Sequence, residues 1–407
     1  METSDDARGI DSKAGWFVAA AAFLSLFAVF GVAYSFGAVF TAIRDEFGVS
    51  KSETAWLFAI TTFLYFVFGI VTGRLSDRYG PRPVLLAGAA AMAGGLITTA
   101  AVDELWVGYI TYGCGVGVGV ACAYVPMVAA VGGWFEHHRT TALGVAVAGI
   151  GVGTLVAAPA AKALTNAHDW RTTYVVLGIA SAALLSLASV FARRPPVSTA
   201  GASLPPLRDL LSSSSFRLLY LGMLLSSMAL FLPFVFLDDY LSARGSDQGP
   251  LLIGVIGAAS VVGRLGIGAL ADRVGLATLY LGSCAAIPLT FLLWLAADTN
   301  FVVLLVFATS MGVSYGGFIA LAPAVTAMAF GPEGLGGVLG ALYTSAGIGG
   351  LIGPPLAGAL EGRFGYTPTI LLAIALGLAA VPALWPVAQP AKRNPADPEV
   401  FTVIGTG

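Results

Sequence analysis

Arg264 is the residue whose chemistry is least at home in its surroundings. It stands in Gly254-Val-Ile-Gly-Ala-Ala-Ser-Val-Val-Gly-Arg264-Leu-Gly-Ile-Gly-Ala-Leu-Ala-Asp272-Arg273, an apolar run in which seven residues separate it from the polar pair Asp272-Arg273. A lone guanidinium in hydrocarbon costs from ~2.5 to more than 10 kcal/mol unless it faces a wet cavity or a partner. Its planar fork stays protonated and offers a carboxylate two parallel N–H donors. Anion binding is the chemistry this placement suggests; the alternative is a structural arginine tied to neighbouring carbonyls. No Lys, His, Asp or Glu occupies the centre of another apolar run, so one fixed positive charge in neutral surroundings suits a monoanion. Tyr34, Tyr124, Tyr315 and Tyr343 also lie within apolar runs. Each offers one phenol donor and a ring to pack a short apolar body, or else simply packs helices. The nearest acids are Asp239 and Asp238, at the end of Leu-Pro-Phe-Val-Phe-Leu-Asp-Asp-Tyr. A carboxyl at a partly buried edge can hold and exchange a proton; a solvated pair at a helix end is the other reading.

The elements that must position these groups follow from composition. Of 407 residues 57% are hydrophobic and 10% charged, and mean hydropathy is +0.87; a soluble domain carries about 25% charged residues. The apolar residues fall into runs long enough to cross a ~30 Å hydrocarbon core. An all-α membrane protein is expected, with spans at 16–43, 53–73, 83–102, 105–131, 140–162, 172–192, 216–238, 250–271, 276–297, 300–329, 335–360 and 367–388. Residues 1–15 and 389–407 read as tails. The Pro/Ser-rich stretch 193–215 splits the spans into two sets of six, 16–192 and 216–388. With both termini cytoplasmic, thirteen Lys/Arg fall inside and six outside, as the positive-inside rule requires.

The sets are related by an internal repeat. Gly73-x-x-x-Asp77-Arg78-x-Gly80 returns as Gly268-x-x-x-Asp272-Arg273-x-Gly275, an offset of 195. Gly144, Gly151, Gly153 and Pro159 return as Gly340, Gly347, Gly349 and Pro355, an offset of 196. Parallel repeats of this kind are one transporter architecture.

Gly73-Arg-Leu-Ser-Asp77-Arg78-Tyr-Gly80-Pro-Arg82 resembles the signature loop of the major facilitator superfamily. The resemblance implies two six-helix bundles rocking about a central cavity, with Asp77, Arg78, Asp272 and Arg273 gating the inner side. Trp134-Phe135-Glu-His-His-Arg-Thr-Thr-Ala142-Leu-Gly144 is similar to the segment entering the fifth helix of monocarboxylate transporters. Asp11-Ser-Lys-Ala-Gly15-Trp16 partly matches their motif before the first helix. Arg264 falls where that family and the oxalate/formate exchangers keep a substrate-binding arginine. The resemblance therefore implies a proton-coupled symporter of small monocarboxylates such as lactate, working by alternating access as a monomer in the plasma membrane. Organic-anion exchange and solute sensing stay open as alternatives. Two departures stand out. Ala38 and Ser260 occupy the positions where mammalian relatives keep the lysine and acid of their proton relay. The region of Tyr343-Thr-Ser345 lacks the lysine of the oxalate exchangers.

Several chemistries are excluded. Cys114, Cys122 and Cys284 all lie in apolar runs, and adjacent His137 and His138 point apart, so neither disulfide nor metal site is expected. No cofactor or nucleic-acid partner is suggested by the net charge of −2. The glycines of Gly113-x-Gly115-x-Gly117-x-Gly119 lie inside a span with no preceding strand, so they serve close helix approach and not phosphate binding. With no catalytic carboxylate pair or triad, an enzyme is not expected.

Overall fold

The computed structural model describes residues 9–196, 207–331 and 335–388. Among them every regular element is a helix: α1 (Lys13–Tyr34), α2 (Phe36–Phe47), α3 (Lys51–Tyr79), α4 (Pro81–Thr99), α5 (Leu105–Trp134), α6 (Arg139–Ala167), α7 (Trp170–Phe191), α8 (Leu207–Ser212), α9 (Ser214–Leu230), α10 (Leu232–Ser242), α11 (Gly249–Val274), α12 (Leu276–Ala297), α13 (Phe301–Phe330), α14 (Leu335–Phe364) and α15 (Tyr366–Ala388). Among the described residues eleven spans are long and apolar enough to cross a membrane. The 30-residue helix α14 lies beside them as a twelfth.

Two differences from the sequence reading matter. The first and seventh spans are broken, at Ser35 between α1 and α2 and at Phe231 between α9 and α10. The breaks are 196 residues apart, the offset of the glycine repeat. Pro233 opens α10, where its missing N–H cannot continue the ladder of α9. Ser35 turns its hydroxyl back to the Val32 carbonyl at 2.9 Å, a local bond that competes with helix continuation. The second difference is in 193–215, expected as a plain connection: α8 forms within it and α9 already begins at Ser214. Residues 1–8, 197–206 and 389–407 lie outside the described residues.

Glycine sets how closely the helices approach. In α5 a Cβ at Gly113 or Gly117 would meet Ile60 or Leu64 of α3, while one at Gly115 or Gly119 would meet Gly95 or Met92 of α4. The alternating spacing thus feeds two neighbours at once. The repeated glycines do equivalent work in the two halves. Gly153 faces Phe27 of α1 and Gly349 faces Leu224 of α9, each within its own half. Gly151 faces Gly257 of α11 and Gly347 faces Phe66 of α3, each across to the other half. Gly80 and Gly275, which end the two signature loops, both take positive φ, 92° and 99°, a conformation glycine adopts without a side-chain clash.

At the end of the bundle where α1 begins and α15 ends, called the termini end, the two family-like motifs dock on each other. Asp11 adopts φ 59° and donates its backbone N–H to the Trp134 carbonyl at 2.9 Å. Its carboxylate accepts from the backbone N–H groups of Glu136, His137 and His138 and lies 2.9 Å from His137 Nδ1. Trp16 meets Phe135 edge-on with centroids 5.0 Å apart. Partial desolvation works to raise the Asp11 carboxyl, but the hydrogen bonds from His137 and its neighbours outweigh it and hold the group at about 2. The same contact raises the His137 imidazole above its ordinary 6.5. Asp11 therefore stays charged across the neutral range, and the contact follows the charge of His137. Its contribution is complete below pH 6.5 and is lost as pH rises through its raised value. Proteolytic cleavage of the 9–16 segment should accelerate as pH rises from 6 to 9, and the acceleration should vanish in His137→Gln.

Candidate functional site

Small residues bring α11 against α13 and fix Arg264 between them. A Cβ on Gly263 would collide with the Val313 carbonyl, and one on Gly316 with the Ser260 carbonyl while standing 2.9 Å from Arg264 N. On another side Gly257 meets the Gly151 carbonyl of α6. Arg264 lies in α11 with ten residues still to run to Val274, and it is only 8% exposed.

Its guanidinium is half-satisfied. Nη1 donates to the Val147 carbonyl of α6 at 3.1 Å, a contact across the two halves. Nε and Nη2 are buried with no partner, and no carboxylate pairs with Arg264 among the described residues. The group stands 5.4 Å from the Tyr315 ring centroid, within cation–π range. The Tyr315 hydroxyl is 3.2 Å from that of Tyr34, again across the halves. Tyr34 stacks on Phe234 at 4.4 Å. Tyr124 lies within electrostatic reach of Arg264, and Tyr343 within reach of Tyr124. Of the four tyrosines singled out in the sequence, Tyr315 and Tyr124 thus reach Arg264 themselves, while Tyr34 and Tyr343 join through them. Phe30, Tyr65 and Phe234 were not anticipated; Phe30 touches Tyr34, Tyr65 and Tyr124. Tyr34, Phe234 and Tyr315 are all buried, whereas Tyr124, Tyr343, Phe66 and Val147 are partly exposed. The side chains between Arg264 and the opposite end of the bundle, the distal end, are thus the more deeply buried.

The distal end is shut by ion pairs. Asp238 and Asp239 are 0% and 2% exposed, deeper than the partly buried edge expected, because α10 is covered by α2 and α11. Asp239 Oδ1 accepts from Arg44 Nη1 at 2.7 Å and Thr41 Oγ1 at 3.0 Å, both on α2. Its Oδ2 takes Lys51 Nζ at 2.7 Å and the hydroxyl of Tyr366. Lys51 also reaches Glu361 at 2.9 Å, and its place at the start of α3 is fixed by the Ser50–Glu53 capping box. Asp238 Oδ2 pairs with Lys162 Nζ at 2.8 Å, while Oδ1 is buried without a partner. The sequence signal was present: three cations near helix ends before residue 193, and two adjacent acids after it.

The termini end differs. Asp77, Arg78 and Arg273 are exposed and none forms an ion pair among the described residues; the Asp272 side chain lies outside them. The Arg78 carbonyl accepts from Arg194 Nη2 at 2.7 Å.

A family model described as Major Facilitator Superfamily matches residues 21–299 and 267–403. The chain belongs to the major facilitator superfamily. As a member it is a transporter and not an enzyme. Mouse monocarboxylate transporter 11 is 30% identical over 383 residues, covering 87% of this chain and 83% of that protein. The MFS-type transporter pynF of Aspergillus niger is 28% identical over 360 residues, covering 86% of this chain and 82% of its own. Among solved structures, a bacterial homologue of the human lysosomal transporter Spinster, inward-facing and unoccupied, superposes with a TM-score of 0.72 at 13% identity. That match covers 92% of this chain and 97% of that one. It shares the two-bundle, twelve-helix fold.

Proposed function

We propose that this transporter carries small monocarboxylates of the lactate or pyruvate type, by proton symport and alternating access to Arg264. The observation that supports the reading is the pair of buried, unpartnered donors Nε and Nη2 on Arg264. With Nη1 occupied by Val147, the free edge of the fork is Nε with Nη2, whose two N–H bonds run parallel, and a carboxylate can accept both. The single charge suits a monoanion, and the rings of Tyr315, Tyr34, Tyr124 and Tyr343 suit a short apolar body.

The distal end faces outwards in this reading, with both termini cytoplasmic in the plasma membrane and a monomer sufficient. Asp77, Arg78, Asp272 and Arg273 act as the inner gate, which forms when the distal end opens. One of the adjacent acids Asp238 and Asp239 binds the proton. In proteoliposomes, uptake of labelled lactate should accelerate when the outer medium is made more acidic than the lumen. Uptake that ignores the gradient but requires internal anion would replace symport by exchange.

A further inference from the structure

We infer that Asp238 is the group that takes up a proton when the distal end opens, while Asp239 holds that end shut. The inference rests on the proposed function only in requiring that the distal end opens.

The two acids are neighbours in α10 with opposite surroundings. Asp239 accepts from Arg44, Thr41, Lys51 and Tyr366, which fills the roughly four lone-pair positions of a carboxylate. Asp238 has one donor, Lys162, and a buried Oδ1 with none. The charged groups that face Asp238 are Lys162 from α6, Asp239 beside it and Asp247 in the connection to α11. From α11 itself Gly249 packs against it.

Parting the halves changes the two acids unequally. Arg44, Lys51 and Lys162 leave with the first half. Asp239 keeps the hydroxyl of Tyr366, which belongs to its own half. Asp238 keeps no donor and stays within electrostatic reach of two other carboxylates, Asp239 and Asp247. A carboxylate that loses its cationic partner and stays near like charges holds a proton more readily than it did with the cation in place. A hydronium from the distal medium then gives its proton to the Asp238 carboxylate, leaving water and a neutral carboxylic acid, and Lys162 departs still protonated. Closure reverses the step: Lys162 returns and the proton leaves. The open form thus holds one more proton than the closed form, so acid on the distal side favours opening.

The test is a distance between the two halves, read without substrate. Spin labels go on Asp103→Cys and Thr299→Cys, exposed residues in distal connections of the first and second half, after Cys114, Cys122 and Cys284 are replaced by Ala. Full-length protein in lipid nanodiscs is titrated from pH 8 to 5. The ratio of open to closed populations should rise by up to about tenfold per pH unit, the limit for one linked proton. Asp238→Asn should populate the open form and flatten the slope, and Lys162→Gln, which removes the partner instead, should flatten it too. Asp239→Asn should favour opening yet keep the slope. A slope that survives Asp238→Asn or Lys162→Gln, one that disappears in Asp239→Asn, or none in the parent protein overturns the assignment. A normal slope in protein that fails to take up lactate would sink the substrate reading and leave this one standing.

Discussion

Arg264→Gln is expected to weaken binding of labelled lactate by roughly thirty-fold to a few thousand-fold, the equivalent of about 2–5 kcal/mol for removing one partner of a buried charge-assisted pair. Glutamine keeps a donor for the Val147 carbonyl but loses both the charge and the parallel N–H edge. Arg264→Lys separates these contributions. It restores the charge as a point donor that cannot match a carboxylate in two places, so affinity should recover only in part. Equilibrium binding to purified protein, with monodispersity on size exclusion as the folding control, decides the matter. A folded Gln variant that binds as the parent does would remove Arg264 from the site.

The second large effect is expected from Gly316→Val, which replaces no candidate ligand side chain. Its Cβ would strike the Ser260 carbonyl and press on Arg264 N. Backbone cannot rotate aside as a side chain can, so α11 and α13 must separate. Overpacking of this kind costs typically ~1–3 kcal/mol, and valine adds bulk beyond the first carbon. The thermal midpoint should fall, and lactate affinity should fall with it because the backbone that carries Arg264 has moved. Gly266→Ala is the matched comparison on α11. A Cβ there meets nothing within 4 Å, and alanine is the better helix former by about 1 kcal/mol, so the midpoint should hold or rise. Equal losses in both variants would mean that α11 resists any added carbon and that close approach to α13 is not the cause.

Much of this was legible in the residues. Span number and placement follow from apolar run lengths, which the bilayer makes nearly a one-dimensional signal. The repeat was readable because Gly151 and Gly347, or Gly80 and Gly275, answer the same local need in each half. Arg264 was readable because a charge inside an apolar run is conspicuous. The breaks at Ser35 and Phe231 were not seen, since neither interrupts the hydropathy that marked the span. The distal network was missed for a different reason. Arg44, Lys51 and Lys162 each look like ordinary helix-end cations, and only the meeting of α2, α3, α6 and α10 brings them to Asp239 and Asp238. Likewise Val147 contributes a backbone carbonyl, which no side-chain pattern announces. Phe30, Tyr65 and Phe234 were lost among 24 phenylalanines and 13 tyrosines.

The distal ion pairs that cross between the halves are sorted by origin. Every cation among Arg44, Lys51 and Lys162 comes from the first half, and every acid among Asp238, Asp239 and Glu361 from the second. Two halves built on one repeat could in principle mate with their own kind during biogenesis, when several chains share a membrane. Here a first half meeting another first half would set ammonium and guanidinium groups against each other, and two second halves would oppose carboxylates. Repulsion of this sort separates right from wrong partners as effectively as attraction does. Charges sorted this way across the seam favour the pairing of each half with its complement over pairing with its twin.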